Sequence, residues 1–148
     1  MSLKTRIQDD MKTAMRAKDK NRLGAIRLIM ASIKQREIDE RISLDDAEII
    51  SVLDRMAKQR RESITQYRDA QRTDLADKEA FELDILQAYM PAALSEVELD
   101  ALISEAIVSE DAQSMRDMGK VMAALKSQLQ GRADMAAVSA RVKTRLGG

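Results

Sequence analysis

The chain has 148 residues, of which 45% are apolar and only 2% aromatic, and it contains neither cysteine nor histidine. Those absences exclude disulfides, thiolate nucleophiles, zinc sites built on Cys or His, and any Ser–His catalytic pair. Lys and Arg number 25 and Asp and Glu also 25, so the net charge is zero, and only its distribution carries information.

Residues 1–42 hold 11 basic and 6 acidic side chains (+5), and residues 43–95 hold 7 and 11 (−4). Residues 96–111 hold 0 and 6 (−6), and residues 112–148 hold 7 and 2 (+5). Basic ends around an acidic middle fit internal pairing of oppositely charged helices, or a basic face for a polyanion such as RNA. No stretch approaches ~20 apolar residues, and the N-terminus lacks the apolar core of a signal peptide. The expectation is a cytoplasmic protein without membrane association.

In chain order, Ser2 caps a first helix whose apolar positions Leu3, Ile7, Met11 and Met15 recur every four residues. Asp19 caps a second, in which Leu23, Ile26, Met30 and Ile33 continue a 3–4 spacing to about Glu40. Ser43-Leu44-Asp45-Asp46 is a break with Ser43 as the N-cap and acids in the next turn, where the helix dipole favours them. Ile50, Leu53, Met56, Ile64 and Tyr67 mark a long charged helix, polar on all sides from Lys58 to Glu62 and there facing water or another charged surface. Thr73-Asp74 restarts a helix with Leu75, Phe81, Ile85, Leu86 and Tyr89. It ends near Met90, because Pro91, the only proline, disfavours helical geometry in the residue before it.

Beyond Pro91, Ser95 and Glu98 form a capping box ahead of Leu99, Leu102, Ile103 and Ile107. Ser109 to Ser114 is a polar connection. A helix from Asp117 to Gln130 follows, with Gly131 at the left-handed C′ position. Asp134 caps the last helix, which carries Val138, Val142 and Leu146. No alternating strand pattern occurs, so the fold class is all-α: an N-terminal helical domain over 1–92 and a small C-terminal three-helix bundle over 93–148.

Gly119-Lys120 lacks the GxxxxGK[ST] frame and a preceding strand, which removes a nucleotide-binding P-loop. A helix start with a lysine attracts phosphate; alternatively Gly119 lets a neighbouring helix pack closely, the preferred explanation for that residue. Arg16, Lys20, Arg27 and Lys34 fall at spacings of four and seven and form one basic stripe, either paired with the acidic middle segment or tracking phosphates. In the tail, Arg116, Lys120, Lys126, Arg132, Arg141, Lys143 and Arg145 have only Asp117 and Asp134 nearby in sequence to offset them. The adjacent acids Asp9-Asp10, Asp45-Asp46 and Glu110-Asp111 point in different directions on a helix and serve as caps or solvated groups. No metal site, cofactor or catalytic residue is expected. Aromatic side chains for stacking bases are missing, so RNA contact would be to backbone and shape.

Several segments together resemble the GatB/YqeY family across essentially the whole chain. They are Arg60-Arg61-Glu62-Ser63, Glu82-Leu83-Asp84-Ile85-Leu86 running into Tyr89-Met90-Pro91, Leu94-Ser95 with Glu98-Leu99, and Met118-Gly119-Lys120-Val121-Met122 with Gly131-Arg132-Ala133-Asp134. The resemblance implies an all-helical fold in two parts. It also implies kinship with the tail of the B subunit of aspartyl/glutamyl-tRNA amidotransferase, a module found joined to some glutaminyl-tRNA synthetases and regarded as a tRNA-contacting accessory. The amidotransferase's ATP- and ammonia-using chemistry belongs to domains this chain lacks, so the family's carbon–nitrogen ligase label fits the relatives better than these residues. The leading reading is a non-catalytic, tRNA-associated protein using Lys120, Lys126, Arg132 and Lys143 near Gly119, with the Arg16, Lys20, Arg27 and Lys34 stripe as a second contact. The alternatives are a module docking on an aminoacyl-tRNA synthetase or amidotransferase, and a ligase in its own right.

Overall fold

The computed structural model describes residues 2–147, and among them seven α-helices, one short 3-10 turn and no strand are found. The helices are α1 (Leu3–Arg16), α2 (Lys20–Glu40), α3 (Asp46–Asp69), α4 (Thr73–Tyr89), α5 (Glu96–Ser109), α6 (Met118–Leu129) and α7 (Met135–Gly147). The chain's contacts fall into two compact units, Met1–Met90 and Pro91–Gly148.

In the first unit, Ser2 caps α1 by accepting the Thr5 N–H at 3.1 Å. The α1 core positions are Leu3, Ile7 and Ala14, while Met15 is exposed, against the four-residue stepping expected from the sequence. Each step of four drifts ~40° around the helix, so a straight core stripe must mix steps of three and four. Asp19 caps α2 by accepting the Arg22 N–H, and Ala25, Ile26, Ile29 and Ile33 are buried.

The next cap corrects the sequence reading: Asp45, not Ser43, accepts the Glu48 N–H at 2.9 Å. Leu44 is buried and donates its N–H to Glu37 Oε2 at 2.9 Å. That interaction keeps residues 43–45 outside the helix until Asp45. Asp46 then accepts the Leu3 N–H at 2.9 Å, tying α3 to the start of α1.

The antiparallel partners α3 and α4 form the most extensive helix pair of the unit. Its polar stretch is not simply solvated. Arg60 reaches α4, with Nε 2.8 Å from Glu82 and 3.3 Å from Glu79. Phe81, placed by the sequence with the apolar set, is exposed, and Ala76, Ile85, Leu86 and Tyr89 supply the buried face. Met90 is extended at ψ 155°, as the following proline requires.

In the second unit, Ser95 caps α5, accepting the Glu98 N–H at 3.1 Å and donating to Glu98 Oε1 at 3.0 Å. Leu99, Ile103, Val121, Leu125, Leu129, Val138 and Val142 form the buried core of α5, α6 and α7. The entry to α6 differs from expectation. The turn begins at Ser114, whose side chain accepts the Arg116 N–H ahead of the 3-10 turn Met115–Asp117, and α6 continues from it. Gly131 takes φ 78°, and Asp134 accepts the Ala136 N–H at the start of α7.

Candidate nucleic-acid interface

The seven cations of the C-terminal block are less free than their sequence neighbours imply. Arg141 pairs with Asp100 at 2.8 Å and Glu96 at 3.2 Å, and Arg145 donates to Ser104 and to the Asp100 carbonyl. The acidic α5 thus neutralises part of α7, as internal pairing of opposite blocks would require. Lys120 lies 3.4 Å from Asp117, whose carboxyl is held below its ordinary range, first by the Gln113 N–H and then by Lys120.

Arg132 is half-buried and acts as a tie, its Nε donating to the Ala92 carbonyl at 3.2 Å while its own carbonyl accepts the Leu94 N–H at 2.9 Å. Lys126 and Lys143 are exposed with no ion pair among the described residues, and the same holds for Arg116. A Cβ placed at Gly119 would meet nothing within 4 Å. That overturns the close-packing explanation of this glycine, and the helix start it sits in is continuous with the preceding 3-10 turn.

At the other end of the chain, several cations of the first block are engaged. Lys4 holds Glu37 through both carboxylate oxygens, at 2.8 and 2.9 Å. That contact first, and the Leu44 N–H second, keep the Glu37 carboxyl below the usual carboxylate range. Arg6 sits 5.0 Å over the Tyr89 ring and donates to the Ala88 carbonyl. Burial and a 2.6 Å hydrogen bond to Asp10 push the Tyr89 phenol upward. Arg36 is taken up by Glu40 and Glu48.

Arg16, Lys20, Arg27 and Lys34 are all exposed, and none forms an ion pair among the described residues. The pairing with the acidic middle segment open to them on sequence grounds is not made. Lys20, Arg27 and Lys34 form one ridge on α2, about 21 Å from first to last at 1.5 Å per residue.

A cleft of about 520 Å³ lies between α2 and α3, lined by Gln35, Arg36, Asp39, Glu40, Arg55 and Gln59 among others, and by none of the ridge cations. Sequence reasoning missed it, although the polar row Ser51, Arg55 and Gln59, at steps of four on α3, was its visible signal. Among the described residues, no group of three or more acidic side chains is placed to hold a metal ion. No helix there is long and apolar enough to cross a membrane.

The fold and its surface define an all-helical protein in two units that presents unneutralised cations along one helix. It belongs to the YqeY-like family, whose description "Yqey-like protein" matches residues 4–146. A similar protein is "Altered inheritance of mitochondria protein 41, mitochondrial" of Pyrenophora tritici-repentis, 34% identical over 96% of this chain and 80% of the relative. Proteins of the same name in Eremothecium gossypii and Saccharomyces cerevisiae are 40% and 35% identical, over 58% and 64% of this chain. The chain spans about half the length of these two relatives, 48% and 51%. The names overturn the cytoplasmic placement expected from composition, since these relatives are mitochondrial proteins by name.

Two of the segments behind the family resemblance meet in the structure. Arg60, from the first, grips Glu82, from the second, and Tyr89 at the end of the second anchors α1 through Asp10. Arg60, Glu82, Ile85, Leu86 and Tyr89 of these motifs are spent on building the first unit, while Arg61 and Glu62 are exposed.

Proposed function

We propose that this chain is a non-catalytic, tRNA-associated accessory protein that contacts the phosphate backbone through basic helices. The observation that carries the reading is the α2 ridge of Lys20, Arg27 and Lys34, three exposed cations on one helix face without an ion pair among the described residues, with Arg16 likewise exposed and unpaired at the end of α1. In this reading the ridge is the principal contact and Lys126 and Lys143 are secondary. Lys120 and Arg132 contribute less because each already has a partner. The two compact units are read as an N-terminal domain, 1–92, and a C-terminal module, 93–148, of the kind seen in the amidotransferase tail. The compartment is taken from the relatives' names, which point to mitochondria.

The test is an equilibrium titration of bulk tRNA into nuclease-treated protein. Saturable binding at low salt that weakens as salt rises supports the proposal, because phosphate contacts release counterions. Its absence refutes it.

A second reading, docking on an aminoacyl-tRNA synthetase or amidotransferase, is favoured by exposed Met15, Leu28, Ile42 and Met115. A specific partner retained in a ribonuclease-treated pull-down selects it over RNA contact. Glutamine- and ATP-dependent amidation by the purified chain alone would establish the ligase reading instead.

A further inference from the structure

Helix α5 carries the two most exposed large apolar side chains of the described chain, Val97 at 80% and Val108 at 79%. Single exposed apolar residues are ordinary. These two, with exposed Ala101 and half-buried Ser104 between them, lie within an arc of ~60° on one face of the helix, and Ser104 accepts from Arg145. Glu98 and Glu105 border that line, and no cation occurs anywhere in residues 96–111. Asp100 and Glu96 are engaged from the other side by Arg141, and Glu105 has no ion pair among the described residues. The result is a largely apolar line about 16 Å long, bordered on one edge by Glu98 and Glu105 and on the other by Arg141 and Arg145 over Asp100 and Ser104.

The chain also presents the complement of this face. On α2, Lys20, Gly24, Arg27, Ala31, Lys34 and Ile38 fall within an arc of ~80°, all are exposed, and Ile38 reaches 60%. No acidic side chain lies in that arc. Small residues at Gly24 and Ala31 let a second helix approach closely between the cations, and a Cβ at Gly24 would meet nothing within 4 Å. The Glu98 and Glu105 edge of the α5 line is acidic and the α2 stripe is basic, and the α2 stripe is long enough to cover the α5 line.

We infer that the α5 face binds a second copy of this chain through that copy's α2 face. Val97 and Val108 would pack around Ala31 and Ile38, and Glu98 and Glu105 would lie opposite Arg27 and Lys34. The contact is heterologous, so each pair of associated chains keeps one free α2 face and one free α5 face. A single helix-on-helix contact is small among specific interfaces. The association is therefore weak, concentration-dependent and sensitive to salt, which screens exposed charges.

Sedimentation equilibrium of nuclease-treated protein, without RNA, tests this independently of the tRNA proposal. The weight-average mass should rise with concentration at low salt and fall back in high salt. Val97→Lys with Val108→Lys should weaken self-association by more than about tenfold, equivalent to more than 1.4 kcal/mol, with unchanged helical circular dichroism, since both side chains are solvent-exposed. Arg27→Glu with Lys34→Glu, and separately Glu98→Lys with Glu105→Lys, should each be monomeric. Mixed in equal amounts they should associate again, because each variant then meets a face of opposite sign on the other. A wild-type chain that stays monomeric at every concentration overturns the inference, and so does association that ignores the valine substitutions or charge-reversed variants that fail to associate on mixing. A face reserved for a different protein or for a lipid surface would appear as the first of these results.

Discussion

A glycine in the first turn of α6 reads from sequence as either a packing device or a phosphate grip. The open space around Gly119 leaves no neighbour for the first. Glycine in a helix costs about 0.5–1 kcal/mol relative to alanine, so Gly119→Ala should raise the thermal midpoint by up to that equivalent. A lower midpoint would reveal a contact absent from this structure. Glu37 makes the opposite case, a side chain whose role only the fold exposes. Its carboxyl is depressed by Lys4 and the Leu44 N–H, so its stabilising contribution is present above the ordinary carboxylate pKa, ~4.3. That contribution disappears as pH falls through the lower, folded value. Glu37→Gln should therefore lower the thermal midpoint at neutral pH, and the gap from wild type should close in acid. A gap that persists unchanged in acid would mean that the Glu37 charge is not responsible. Nothing in the sequence pairs Lys4 with Glu37, 33 residues apart.

Helix by helix, caps were legible wherever a single residue did the work, at Ser2, Asp19, Ser95 and Asp134, and at Gly131 beyond α6. Other helix ends were harder to read because Lys18, Arg41, Gln71 and Asp111 turn the chain at φ 50–58° without glycine. A left-handed residue other than glycine gives composition no signal. Ser43 misled for a related reason, since burial of Leu44 outweighs the local preference for a serine cap. The Arg60 cluster joins the α3–α4 pair, with side chains only 12–20% exposed. Replacing Arg60 with Leu would leave Glu79 and Glu82 facing each other uncompensated. We expect a loss of about 1–3 kcal/mol after allowing for partial solvent screening, measured by urea unfolding at neutral pH. Adding Glu79→Gln and Glu82→Gln to that variant should recover part of the loss; no recovery would mean that charge was not its source.

For the molecule as a whole, the all-α class followed directly from periodicity, because neither cysteine nor histidine nor a strand pattern competed with it. The candidate surface was only half legible. The basic stripe was visible as a spacing, but which cations remain free depends on the packing of distant segments. The tail charge is met by α5 only in part, through Arg141, while the α2 ridge, less conspicuous in sequence, has no internal counter-charge among the described residues. In the proposed function this ridge, with Arg16 beside it, binds tRNA phosphates. Its most direct test is the salt dependence of tRNA affinity for the wild type beside a variant with Arg16, Lys20, Arg27 and Lys34 all changed to alanine. Each phosphate contact contributes roughly 0.7–0.9 to the slope of log K against log salt, so the variant's slope should be shallower by about three and its low-salt affinity much weaker. A wild type without saturable binding, or a variant with unchanged affinity and slope, would contradict the claim.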